Sequence, residues 1–549
     1  MPAAVPHLTG PQIPISDAQT ALNKLHSFIS RKNLSRPLLC PHPINLGNGL
    51  LLRRAEPGDK EELAAFNARI HFPSGGRGTF DLFSPSDFEG AEHPTTDHSC
   101  FTVVVDASKD NKIVSSVWSV PQIWYYGNPD TLATKMNALD TGVPIVVVRP
   151  EGVGTEEEYR GHGLIKKHMD VHHDWARALG SPLQFIGGMP QYYCRFGYEC
   201  APERNAGVGG TLASLEPLIK KRDPKFRVRK ATLDDVDFIM TTMRVNSCRR
   251  DGIWTDVDLV GWKSIMKGRQ EGSFTAYLHY IVEYLDDSPE ICEDAVRVGF
   301  CEFKSYSGNI HRLELADTDV ASWEDLTSAV LSFVPQFHLE IMSRVKKQIQ
   351  AAYKAPARLE GTGEPTTPAF SDEEKVKESE NYLSSNWQFF LTLGSWHPAY
   401  QSVASARLPL KREAYYWFTR IESVQSFLES VVPVLNDRLR RSLTFSRVTF
   451  TFSITKSDYN AGGAPLIKIV QGKIASIDTL PLGTKVDSVI ENGGQFVAFQ
   501  GNTATRMLLG YRTASELKVN GDAYGYPKCI TVLDVLFPKM ANDYIVGYD

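Results

Sequence analysis

No stretch of this chain approaches the roughly 18 consecutive apolar residues that a membrane-spanning helix needs, so a membrane class is disfavoured. Its start carries no charged n-region followed by an apolar core, which argues against a secretory leader and makes the cytosol the expected compartment. Nor is there a C-x-x-C pair. The 8 cysteines, at 40, 100, 194, 200, 248, 292, 301 and 529, fit neither a zinc site nor a disulfide framework, and read as free, mostly buried thiols. An excess of positive charge is missing too. With 59 Lys and Arg against 64 Asp and Glu the formal charge is −5, leaving no global basic field to attract nucleic acid. What is present is an ordinary globular composition, 42% hydrophobic and 22% charged, spread over 549 residues. That length exceeds the roughly 250–300 residues at which a single core stops growing, and three domains are expected.

The segment Ile145–Glu199 is the most informative. A β-branched run, Ile145–Val148, leads to the turn Arg160-Gly161-His162-Gly163, which opens a helix. Unpaired backbone N–H groups and the positive end of the helix dipole face outward there, an arrangement suited to a pyrophosphate. Glycines at 161 and 163 remove Cβ atoms that would block a ligand and permit positive φ. Downstream lies an aromatic hook, Tyr193-Cys194-Arg195-Phe196-Gly197-Tyr198-Glu199. Upstream, Leu50–Ala55 reads as a strand before the acidic helical segment Asp59–Ile70, and Phe101–Asp106 and Lys112–Trp124 alternate as paired antiparallel strands. The order β-α-β-β-β-α-β follows, a mixed sheet with helices packed on it and a ligand crevice at the carboxyl end of a central strand.

Arg160-Gly161-His162-Gly163-Leu164-Ile165 resembles the (Arg/Gln)-x-x-Gly-x-(Gly/Ala) turn of the GNAT acetyltransferase superfamily, with Ile165 replacing the last small residue. The Tyr193–Glu199 hook resembles the signature that closes the same domain. The resemblance implies acetyl-CoA as cosubstrate. It implies that Val153, Gly154 and Thr155 on a splayed strand meet the pantetheine arm, and that Arg160, Gly161, His162, Gly163 and Leu164 hold the phosphates, His162 through its backbone N–H. Tyr193 falls at the general-acid position.

Residues 1–47 read as an arm around one amphipathic helix, Ser16–Ser30, and 48–215 as the first domain, ending in a Gly-rich exit, Gly207–Gly210. Phe226–Val236 then repeats the opening plan of that domain: a basic strand, a cap, an acidic start and an apolar-periodic helix. No Arg-x-x-Gly-x-Gly turn follows, since Ala295–Lys304 and Ser322–Val334 are joined by Ser305–Ala321 without one, and this second copy, 216–420, reads as catalytically silent. An insertion near 351–377 is rich in Pro, Gly, Thr and charge. Trp387–Leu393 and Ala414–Ile421 alternate like strands expected to complete the second domain. Residues 421–549 read as a third α+β domain, from an amphipathic helix after Ser423, strands Arg447–Ile454 and Pro465–Ile474, and closing helices. The sequence YYWFTRIESVQSFL…LNDRL…LLGYRTASEL gives this order a resemblance to the enhanced intracellular survival type of acetyltransferase. The fold class is therefore α+β with mixed α/β sheets: tandem acetyltransferase folds, the second degenerate, and a sterol-carrier-like C-terminal domain. Such relatives can form homo-oligomers.

Acetyl transfer to an amine needs a neutral nitrogen and a proton for the departing thiolate; free Lys-type amines titrate near ~10.4 and thiols near ~8.5. Tyr193 is the acid candidate. For the base, the resemblance implies the terminal carboxylate of the chain, here Asp549, at the end of a largely apolar tail. Glu151 and Glu156-Glu157-Glu158 are alternative carboxylates, read as a solvated face. His168, His172 and His173 lie on the helix after the turn; the i,i+4 pair His168/His172 lacks a Glu or Cys to complete a metal site and reads as structural. Cys194 has no nucleophile-base partner nearby in sequence and reads as packing. The expected activity is acetyl-CoA-dependent N-acetylation of a primary amine on a small molecule or peptide, by direct attack. The alternative is a non-catalytic ligand- or lipid-binding protein on an acetyltransferase scaffold. Acceptor specificity is assigned to variable loops such as Trp124–Gly142.

Overall fold

A computed structural model describes residues 15–71, 95–129, 142–189, 191–219, 223–267, 277–285, 295–304, 307–354, 387–402, 408–456, 463–491 and 494–543. Asp549, the 130–141 part of the loop expected to set acceptor specificity, most of the 351–377 insertion and the first 14 residues lie outside them. Among the described residues no helix is long and apolar enough to cross a membrane.

Three sheets organise the described residues. The first grows around Lys112–Gly127, a strand buried over its whole length after Lys112, as its continuous apolar and aromatic run requires. Leu50–Arg54, Phe101–Asp106, Lys112–Gly127 and Gly142–Thr155 pair antiparallel in that order. Leu183–Gly187 follows in parallel and Tyr415–Ile421 antiparallel, with Glu199–Arg204 at the edge. Helix Lys60–His71 packs against one face. Helix Leu164–Ala178 packs with Leu164, His168, Met169, His172, Trp175 and Ala176 turned inward, the i, i+4 spacing of an amphipathic helix. The β-α-β-β-β-α-β order read from the sequence is present.

The second sheet repeats this order and these strand senses. Phe226–Lys230, Tyr277–Tyr284, Val296–Lys304 and Gly308–Leu315 are antiparallel neighbours, Gln388–Leu391 is parallel to the last, and Gly207–Thr211 and Leu410–Arg412 complete it antiparallel. Counted from Leu50–Arg54, outside which Ile44–Gly47 adds an edge strand, and from Phe226–Lys230, the sixth strand of each sheet comes from the other half of the chain. Two expectations change accordingly. The Ala414–Ile421 segment does not complete the second domain, because Tyr415–Ile421 hydrogen-bonds between Leu183–Gly187 and Glu199–Arg204 of the first sheet. Gly207–Gly210 is no exit but an interior strand of the second sheet. Its glycines answer to close packing: a Cβ on Gly207 would lie 1.9 Å from the Leu391 carbonyl oxygen, and one on Gly209 2.0 Å from that of Phe389.

The third sheet, five strands from Phe450 to Gly525, packs on helix Val424–Arg441 and helix Pro527–Leu536. The expected strand Pro465–Ile474 is two, Pro465–Val470 and Lys473–Thr479, folded back at Gln471 and Gly472, both at positive φ. Buried Arg438 ties this layer to the first sheet by donating to the Gly127 and Leu536 carbonyls at 2.7 and 2.6 Å and to Asn128 Oδ1 at 2.5 Å. Ala541–Asp543 then adds a parallel strand to Asp251–Thr255, which itself pairs with the Trp124–Tyr126 end of the long first-sheet strand.

Candidate functional site

The cleft forms where two parallel strands part. Gly142–Thr155 and Leu183–Gly187 pair only at Val147↔Leu183 and Val148↔Gln184. From Arg149 to Thr155 the first strand continues with its partner on the far side alone, so the two diverge and open a wedge. Gly152, at φ 55°, sits in the bulge where that strand turns from its neighbour.

The glycine turn is built as its sequence requires. Gly161 and Gly163 have φ of 83° and 73°, and no atom lies within 4 Å of a Cβ placed on either, so the space in front of them is open. Gly163 is the N-cap of helix Leu164–Ala178 with no side chain capping it, which leaves the first helical N–H groups to a ligand. The His162 ring folds back on the Tyr159 and Arg160 carbonyls, 3.1 and 3.2 Å from Nδ1, and Arg160 Nε donates to the Thr155 carbonyl at 3.4 Å. Tyr159 anchors the turn by donating to Asp106 at 2.6 Å. Two residues of the motif serve packing as well. Leu164 buries its side chain with Leu52, Val104 and Val114 and offers only its backbone. A Cβ on Gly154 would come within 2.9 Å of Ile70 Cγ2, so this glycine admits helix Lys60–His71.

Val153, Ile165, Met169, Ile186, Tyr193 and Phe418 belong to one apolar cluster, so the structure brings the splayed strand, the helix after the turn and the aromatic hook together. Tyr193, 6% exposed, opens a short 3-10 turn closed by Gly197 at φ 85°. Its ring lies on Gly188, where a Cβ would be 2.3 Å from Tyr193 Cε2. Among the described residues its hydroxyl has no hydrogen-bond partner. Burial first, then the nearby Glu151 charge, pushes the phenol above its ordinary range, and it stays protonated at neutral pH.

The carboxylates separate. Glu157 and Glu158 face solvent as read, Glu158 with exposed Lys109 at 3.1 Å, whereas the mostly buried Glu156 pairs with Arg69 at 3.0 Å and Lys112 at 3.6 Å. Glu151 differs: it is bonded to the buried Arg149 guanidinium on the diverging strand and acts electrostatically on Tyr193. Arg149 lies 5.2 Å from the Trp417 ring centroid, and Arg204 4.4 Å from the same ring. Sequence reasoning missed Arg149, Gly188 and Trp417. The first two had a signal, an arginine ending a β-branched run and a glycine five residues before a tyrosine; Trp417, far downstream on the exchanged strand, had none.

His168 and His172 are buried, with Nδ1 2.7 Å from Thr102 Oγ1 and 2.8 Å from Ser119 Oγ. Burial lowers His168 to about 3 and His173 to about 4, so both are neutral. Cys194 is exposed, and its thiol is pushed up by desolvation and by Glu199, which disfavours a thiolate.

This sheet order, with a cleft at the parting of its central parallel strands, is an acetyltransferase-like fold. A GCN5-related N-acetyltransferase from Anabaena variabilis superposes with a TM-score of 0.53 over 90% of this chain and 99% of its own at 11% identity. One from Kribbella flavida gives 0.51 over 90% and 99% at 14% identity. Eis1 from Mycobacterium abscessus gives 0.48 over 90% and 99% at 11% identity. No family profile matches the sequence, and no curated protein does. The chain thus has the fold of GCN5-related N-acetyltransferases along nine tenths of its length.

Proposed function

We propose that the chain is an acetyl-CoA-dependent N-acetyltransferase acting on a primary amine of a small molecule or peptide by direct attack. The observation that supports this best is the parting of Gly142–Thr155 from Leu183–Gly187 beside an uncapped helix N-terminus, with the unpartnered Tyr193 hydroxyl in the same cluster. The open space at Gly161 and Gly163 and the free N–H groups after Gly163 fit a pyrophosphate, with Arg160 supplying the countercharge. Bound acetyl-CoA supplies an activated thioester carbonyl and a thiolate leaving group. The backbone of Val153, Gly154 and Thr155 orients the arm along the diverging strand. As the amine nitrogen bonds to the acetyl carbon and the C–S bond breaks, Tyr193 gives its proton to the thiolate, while the terminal carboxylate of Asp549 takes the amine proton. Glu151, held by Arg149, attracts the ammonium form of the acceptor into the cleft.

In this reading the second sheet is a degenerate tandem copy. The 316–322 segment before helix Trp323–Lys354 has no glycine to open a phosphate turn. The third layer is read as a sterol-carrier-like domain by its fold.

The test is acetyl-CoA titration by calorimetry together with thiol release over a panel of amines. Arg160→Ala is expected to lose cofactor affinity, and Tyr193→Phe to keep affinity and lose turnover. Absence of binding at millimolar acetyl-CoA with a co-purified lipid would replace the proposal with a ligand-binding scaffold.

A further inference from the structure

The long strand Lys112–Gly127 has a gap along one edge. Phe101–Asp106 pairs with it as far as Trp118, and Asp251–Thr255 takes up the same edge only at Trp124. Between them, Ser119 to Ile123 meet no strand on that side among the described residues. A cavity of about 1330 Å³ opens there, larger than the roughly 300–1,000 Å³ of drug-sized ligand sites. Pro121–Tyr125 form its floor, helix Ile15–Ile29 covers it, and helix Val236–Arg250 and residues 255–258 form its walls. None of these residues belongs to the cleft between the diverging strands.

The lining is apolar below and acidic at the rim. Leu22, Ile29, Ile123, Tyr125, Val245 and Val257 give a continuous greasy floor and roof. The cations around it are already engaged. Arg244 grips Asp256, Nη2 to Oδ1 at 2.9 Å. Arg297 is held by Asp235 at 3.3 Å and lies over Phe238. Asp317 at the rim is balanced by Arg249 at 3.0 Å. Asp258 has no such partner. One of its oxygens accepts the Gly261 N–H at 2.7 Å, capping helix Leu259–Lys267, and no cation pairs with it among the described residues. The nearby His26 adds no full charge at pH 7.5, since desolvation lowers an imidazole that ordinarily titrates near ~6.5.

We propose that this cavity is a second binding site, separate from the cleft, for an amphiphile with an ammonium head: an apolar body along the Ile123–Tyr125 floor and the head at Asp258. A neutral head gains less there, and a carboxylate is repelled by Asp258.

The experiment is calorimetric titration of the full chain with three probes of equal tail length, n-octylammonium, 1-octanol and octanoate. Octylammonium is expected to bind about threefold tighter than octanol, the value of one ion pair at an exposed carboxylate, and octanoate weakest. Asp258→Asn retains the helix cap and is expected to bring octylammonium to the level of octanol while leaving octanol unchanged. Val245→Trp fills the cavity from its wall and should abolish both. If that variant melts early, Leu22→Trp on the covering helix repeats the measurement. Equal affinity for the three probes, an Asp258→Asn variant that still prefers octylammonium, or a folded tryptophan variant that binds as the parent does would overturn the assignment. None of these readouts requires acetyl transfer.

Discussion

Gly188→Ala probes the acid role proposed for Tyr193 without touching the tyrosine. A Cβ on Gly188 would lie 2.3 Å from Tyr193 Cε2, 3.2 Å from Cζ and 3.3 Å from Cδ2, against an ordinary contact that begins at 3.4 Å. The ring must therefore move by about 1 Å, since Gly188 is fixed by the strand end that it follows. A displacement of about 1 Å at a reacting group costs on the order of a hundredfold in rate, or about 3 kcal/mol of barrier. The expected result is a kcat for thiol release down about a hundredfold, with acetyl-CoA affinity unchanged and a melting temperature lowered by only a few degrees. The double variant with Tyr193→Phe is the decisive arm. If the alanine acts through the phenol, the double variant should be no slower than Tyr193→Phe alone, because the hydroxyl it misplaces is gone. Full activity in folded Gly188→Ala, or a double variant slower by a further hundredfold, would refute the reasoning.

Three further outcomes follow from the same geometry. Gly163→Ala finds open space but a φ of 73°, so it should destabilise by only about 1 kcal/mol while placing a methyl before the helix N–H groups and weakening acetyl-CoA binding about tenfold by calorimetry. His168 and His173 are held neutral, at about 3 and about 4, so the unfolded chain binds protons that the folded chain does not as pH falls below about 6.5. Stability should therefore drop steadily from pH 6.5 towards 4, and a pH series of thermal melts that stays flat would contradict their burial. Arg438→Met removes donors to the Gly127 and Leu536 carbonyls, two buried acceptors at about 1–3 kcal/mol each, and should lower the denaturation midpoint accordingly.

The parts of the fold legible in the sequence were those set by local chemistry. The turn at Arg160–Gly163 was readable because positive φ and an uncapped helix start leave a glycine signature. Helix Leu164–Ala178 was readable because its buried face recurs every three to four residues. Tyr193 followed from the motif around it. Other features depend on partners distant in sequence and leave no local mark. Tyr415–Ile421 alternates as well for one sheet as for the other, so its pattern could not name its neighbours. Gly207–Gly210 has the composition of a linker, yet its glycines answer to the backbone of Gln388–Leu391. Glu151 reads like the Glu156–Glu158 run, and only the side to which the strand turns it, against Arg149, separates the two.

The exchange of sixth strands ties the half without an Arg-x-x-Gly-type turn to the half that has one. Glu199–Arg204 passes into Gly207–Thr211 across two residues, and Leu410–Arg412 into Tyr415–Ile421 across two residues, so each edge strand hands the chain to the opposite sheet. Position six of the first sheet is also where the cleft is braced. Trp417 there lies against Arg149 and Arg204, Phe418 is 6.0 Å from the Tyr193 ring, and Thr419 donates to the Ala201 carbonyl at 2.5 Å. The first 215 residues alone would leave this slot empty, exposing the edges of Leu183–Gly187 and Glu199–Arg204 and removing the support of Tyr193. The second half thus supports the cleft through this strand, aided by Asn502 on the Gly197 carbonyl and Arg506 on Glu199, and the two halves are expected to unfold as one cooperative unit.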